Sequence, residues 1–84
     1  MYIQSLQSSL ADGTHFINII SDEIAKLTLK ILDGNGMIAK KLITDIPEGN
    51  HQVPLALDEL DEGNYIINAF NGDTFIKSIR YQKK

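Results

Sequence analysis

The sequence contains no cysteine and no tryptophan, and only two prolines. Without cysteine there are no disulfide staples, so the fold must hold by its apolar core and backbone pairing, and thiol usage says nothing about redox compartment. Aromatic residues are limited to three tyrosines and three phenylalanines, which makes a flat sugar-stacking platform a weak expectation, because stacking favours large exposed rings. No apolar run approaches the roughly 20 residues that a membrane-spanning helix needs, so no membrane span is expected. Positive charge is also in deficit, with 8 Lys and Arg against 11 Asp and Glu and a net charge of −3. Neutralising phosphates takes a surplus of basic side chains, so nucleic acid is not expected as a partner.

What is present is an evenly spread apolar content, 43% of 84 residues, enough for one small domain spanning residues 1–84. A chain of this size buries roughly 60% of the surface it exposes when unfolded. Turn-forming clusters punctuate it regularly: Asp12-Gly13, Ser21-Asp22, Asp33-Gly34-Asn35-Gly36, Pro47 to Asn50, Asp61 to Asn64 and Asn71-Gly72-Asp73. Between them lie seven β-rich segments: Tyr2 to Leu10, His15 to Ile20, Ala25 to Leu32, Met37 to Asp45, His51 to Leu57, Tyr65 to Phe70 and Thr74 to Tyr81. Short strands at this spacing predict an all-β fold, an immunoglobulin-like antiparallel β-sandwich of about seven strands.

Alternation identifies the core. Leu27, Leu29 and Ile31 share one face of a strand while Lys26, Thr28 and Lys30 share the other, and the same period groups Val53, Leu55 and Leu57, then Tyr65, Ile67 and Ala69. The segment from Met37 to Ile43 changes phase around Lys40 and Lys41, as a bulge or an edge strand would, and Pro54 suits an edge. Leu55 to Asp61 competes as a helix, but so short a stretch between Pro54 and Gly63 sustains at most a single turn.

Candidate chemistry is sparse. Asp33-Gly34-Asn35-Gly36 has the look of a calcium loop, yet the EF-hand spacing would put Met37 at a ligand position, Ile38 at the invariant glycine and Thr44 at the bidentate glutamate. The stretch suits a tight turn instead. Asp58, Glu59, Asp61 and Glu62 form an acidic run around Leu60, read as solvated neighbours of a buried anchor, and His15 and His51 read as surface or strand-edge histidines with no third ligand near in sequence. Lys77, Arg80, Lys83 and Lys84 make the end of the chain basic, so that the acidic and basic stretches predict two solvated surfaces. There is no Gly-x-Ser-x-Gly elbow and no phosphate-cradling glycine loop leading into a helix, and the serines cluster in the first segment. The chain therefore reads as non-catalytic, without a cofactor or metal.

The strongest single signal is Leu57-x-x-Leu60-x-x-Gly63-x-Tyr65, preceded by the alternating Val53, Leu55 and Leu57 and followed by Ile66-Ile67. With the Asp33 to Gly36 turn upstream and the lysine-bearing segment from Lys77 to Lys84 downstream, this resembles the C-terminal sorting domains of the type IX (Por) secretion system of Bacteroidetes. The resemblance covers about Phe16 to Lys84. It departs from the family where an Asn-Pro pair near the start corresponds here to Ala11-Asp12-Gly13-Thr14.

The resemblance implies a non-catalytic sorting module, recognised by an outer-membrane translocon protein and carried to the cell surface or medium as part of an exported protein. Asp33, Gly36, Leu57, Leu60, Gly63, Tyr65 and Lys77 are the motif positions it singles out, in structural or recognition roles. The first six residues have no basic region and no apolar run of signal-peptide length, so export is expected to depend on other sequence. An alternative is an immunoglobulin-like interaction or adhesion module that pairs with another protein through an exposed strand edge, and carbohydrate binding is a third reading.

Overall fold

A computed structural model describes residues 1–8 and 14–84. Among them are seven strands: β1 (Tyr2–Ser8), β2 (His15–Ser21), β3 (Ala25–Leu32), β4 (Ile38–Ile46), β5 (Gly49–Leu55), β6 (Gly63–Asn71) and β7 (Thr74–Lys83). One helical turn, Leu57–Glu59, stands between β5 and β6. The expected end of the first strand at Leu10, the Asp12-Gly13 turn and most of the Ala11 to Thr14 stretch lie outside the described residues.

The strands form two antiparallel sheets, β1-β2-β5 and β4-β3-β6-β7, packed face to face as the expected sandwich. A constant-type immunoglobulin domain places its fourth strand beside the first, second and fifth. Here β4 stays with β3, paired from Ala25 opposite Ile46 to Leu32 opposite Ile38. The cause is local. The Asp33 carboxylate accepts from the backbone amides of Asn35 (2.9 Å) and Met37 (3.0 Å), and the Asp33 amide donates to the Met37 carbonyl (2.8 Å). Gly36, at φ +81°, takes the left-handed conformation that closes the turn. A connection this tight leaves too little chain to cross to the other sheet.

The alternations found in the sequence place the core. Leu29 and Ile31 on β3 stand opposite Ala69 and Ile67 on β6, and with Leu27 and Tyr65 on the same face they are buried. Val53 and Leu55 supply the opposite layer, joined by Ile17 and Ile19 of β2 and by Ile3, while Ile46 of β4 adds to the first layer. Each such side chain, fully buried, stabilises by roughly 1.5–3 kcal/mol relative to exposure.

All four outer strands are irregular or interrupted. β4 does carry a bulge, but it falls at Ala39, skipped between the pairs Ile31 with Lys40 and Leu32 with Ile38, and not at the paired lysines. Registers also slip in β1 after Ile3 and between β6 and β7 at Phe70, while β5 holds Pro54 as an edge residue. The terminal lysines correct the expectation of a solvated basic surface. Lys77 and Lys83 are half-buried because they stand opposite Ala69 and Gly63 on the inner face of β7. Lys77 Nζ donates to the Ile3 carbonyl of the other sheet (3.3 Å). On the far edge, Lys40 Nζ reaches the Ala56 carbonyl (3.2 Å) and the Glu59 carboxylate (3.0 Å). Inward-pointing charge on an edge strand obstructs pairing with a further strand.

Candidate recognition site

The Leu57 to Tyr65 motif forms the crossing from one sheet to the other at one end of the sandwich. Leu57 closes that end of the core at 1% exposure, in line with its alternation with Val53 and Leu55, and Leu60 packs against the core half-buried, an anchor less deeply set than Leu57. The helical turn between them is held by the Leu60 amide donating to the Leu57 carbonyl (3.2 Å), which also accepts from Lys83 Nζ (3.3 Å).

Past Leu60 the chain must turn sharply into β6. Gly63 does this at φ +152°, a conformation that L side chains rarely adopt. Tyr65, 7% exposed, then lays its ring into the core while its hydroxyl donates to the Asp61 carbonyl at 2.6 Å. A tyrosine early in the sixth strand that bonds back to backbone a few residues upstream is the arrangement that immunoglobulin sandwiches use to close this corner. The Leu-x-x-Gly-x-Tyr spacing is therefore accounted for by geometry: a plug, a reversal and a latch.

The Asp33 to Gly36 turn lies against this corner. A Cβ on Gly34 would sit 4.0 Å from the Asn64 carbonyl. Together with the end of β7 the two turns border an open depression of about 700 Å³, lined by Asp33, Gly36, Asn64, Tyr65, Arg80 and Tyr81 among others. Tyr81 is in register with Tyr65 and stacks edge-on to His15, with ring centroids 5.2 Å apart. Burial raises its phenol above the ordinary value, and the negative charges of Asp58 and of ionised Tyr65 push the same way.

Six of the seven motif positions, Asp33, Gly36, Leu57, Leu60, Gly63 and Tyr65, thus meet at one end of the domain. Lys77 does not join them; it points between the sheets toward β1. Arg80, Tyr81 and Gln82 enter the depression without having been singled out, although the alternation of β7 already puts Tyr81 inward and its neighbours outward. His15, on the central strand β2, and His51, on the edge strand β5, both face inward and are half-buried, opposite Leu55 and Ile19. The Asp33 carboxylate is engaged in its own turn, which agrees with the reading of that stretch as a hairpin. The groups at the depression are hydrogen-bonding and apolar surfaces suited to recognition. No protein-family model matches the chain, and no curated protein matches it at a significant level.

Proposed function

We propose that this chain is a non-catalytic sorting module that directs an attached protein across the outer membrane through a translocon of the type IX kind, toward the cell surface or medium. The observation that carries the reading is the union of the two elements on which the resemblance rests. β7 pairs with β6 from Lys83 opposite Gly63 to Thr74 opposite Asn71, and Lys83 reaches back to the Leu57 carbonyl. A partner that reads Arg80, the outward cation of the final strand, meets the Leu57 to Tyr65 corner on the same end of the molecule.

The strand-edge alternative has less support, since bulges, Pro54 and inward lysines blunt every outer strand. The sugar alternative has less as well, because the rings of Tyr65 and Tyr81 turn inward and the exposed rings of Tyr2 and Phe75 lie on different sheets and form no shared platform. The test is a reporter carrying its own export signal, fused ahead of residues 1–84 and expressed in a strain that possesses this secretion system. The reporter is expected on the surface or in the medium, and retention in the periplasm would refute the proposal. Deleting the last eight residues would strip β6 of its neighbour, so Arg80→Glu, on the outward side of β7, is the cleaner loss-of-recognition variant.

A further inference from the structure

Charge is segregated over this molecule in a way its net value of −3 conceals. The outward side of the four-stranded sheet carries Lys26, Lys30, Lys41 and Arg80, against the single acid Asp45. Every other described acidic residue sits in a turn or connection at the two ends of the sandwich. The outward side of the three-stranded sheet has no Lys, Arg, Asp or Glu among the described residues; it is built of amides and apolar side chains such as Asn18, Ile20 and Gln52.

The basic face is also apolar. Registers align Ile38, Leu32 and Ile66 in one row across the strands, ending at Arg80, and Ile43, Phe70 and Phe75 in a second, with Thr28 between Ile43 and Phe70. Ile38, Ile43 and Phe75 are each more than half exposed, at 56%, 53% and 54%. Between the rows lie Lys41 and Lys30, and the ammonium of Lys30 stands 4.9 Å from the centre of the Phe70 ring. Large apolar side chains held open to water on a sheet face mark an interaction surface.

We infer that this face docks a protein surface that carries carboxylates between apolar side chains. Charge complementarity selects an acidic partner, and the two flanking apolar rows select one with its own ridges to bury. A phosphate backbone would leave those rows unmatched. An anionic bilayer is less well served, because the apolar side chains lie flush in rows over a slab measuring 36 × 31 × 16 Å and do not protrude from a tip. The broad face is large enough for the roughly 800 Å² per partner of a standard interface. The inference adds a docking face to the sorting reading, beside the Leu57 to Tyr65 corner and joined to it at Arg80, and rests on that reading only for what the docking achieves.

An amide NMR titration of the intact chain tests it, with a synthetic amphipathic peptide of Glu and Leu as probe, a Lys and Leu peptide as control, and vesicles of phosphatidylglycerol or phosphatidylcholine. The Glu and Leu peptide is expected to shift amides of β3, β4, β6 and β7, despite the protein's own negative charge, and to leave Asn18 and Gln52 unmoved. Binding should weaken about tenfold between low and moderately high salt, and by a similar factor in the Lys30→Glu, Lys41→Glu double variant, whose remaining spectrum reports an intact fold. Absence of shifts, equal binding of the Lys and Leu peptide, indifference to the double variant, or binding only to phosphatidylglycerol vesicles would each overturn the assignment. Peptide binding is read without any export step, so a reporter held in the periplasm removes the sorting role while leaving the docking face to stand or fall by the titration.

Discussion

Tyr65→Phe removes one oxygen and leaves the ring in place, which makes it a test of whether the corner is latched by its hydrogen bond. The hydroxyl donates to the Asp61 carbonyl at 2.6 Å from a residue that is 7% exposed. A neutral hydrogen bond of this kind contributes about 0.5–1.5 kcal/mol net. The carbonyl left behind belongs to an exposed residue, so water replaces part of the bond, and a loss of about 1 kcal/mol is expected. For a domain of this size that lowers Tm by about 4–8 °C. Urea unfolding followed by far-ultraviolet circular dichroism should show a lower midpoint at unchanged slope, since the surface exposed on unfolding is the same. A variant with the wild-type midpoint would refute the latch, and Tyr65 would then matter only as an apolar ring.

Leu57→Ala should cost about 2–5 kcal/mol because it empties a site that is 1% exposed, whereas Leu60→Ala should cost clearly less; equal midpoints in urea would show that Leu57 is not the plug. At Gly36 an added Cβ has nothing within 4 Å, so Gly36→Ala should lose about 1–2 kcal/mol through the backbone at φ +81° alone. Gly36→Asn should lose less than Gly36→Ala, because Asn tolerates that conformation, and the reverse order in thermal melts would contradict the turn assignment. The raised Tyr81 phenol makes its contribution fully present below the ordinary value of 10.0, where folded and unfolded chains are both protonated. As pH rises the unfolded chain ionises first, so stability falls through the folded value; Tyr81→Phe should flatten that part of the urea midpoint against pH curve, and parallel curves would refute the cause.

The inward lysines bear on how the domain remains a single sandwich. An edge strand that offers bare backbone donors and acceptors invites another strand, and this domain has four such edges in two open sheets. Lys40 and Lys77 span from the edges of the four-stranded sheet to carbonyls of Ala56 and Ile3 on the other side of the core. The cations close the sides of the sandwich and put a charge where an added strand would bury it. As an ion pair, the Lys40 contact with the exposed Glu59 contributes at most about 1 kcal/mol; its carbonyl contact ties the Leu57 turn to β4.

Much of this was legible in the chain itself because a strand's side chains repeat every two residues. Leu27, Leu29 and Ile31, or Tyr65, Ile67 and Ala69, declare their buried face wherever polar residues alternate with them, and Gly, Asn and Asp declare the turns by the conformations they tolerate. The seven segments, the sandwich class and the single turn after β5 follow from that. What the period cannot express is which sheet a strand joins or what its long side chains reach. β4 lies beside β3 because the turn at Asp33 is closed by its own hydrogen bonds, a matter of three-dimensional geometry. Lys77 and Lys83 look solvated in a list of charges, yet their register opposite Ala69 and Gly63 carries them inward to distant carbonyls. The basic and apolar face likewise exists only once β3, β4, β6 and β7 are placed side by side, since its rows run across strands that are far apart in sequence.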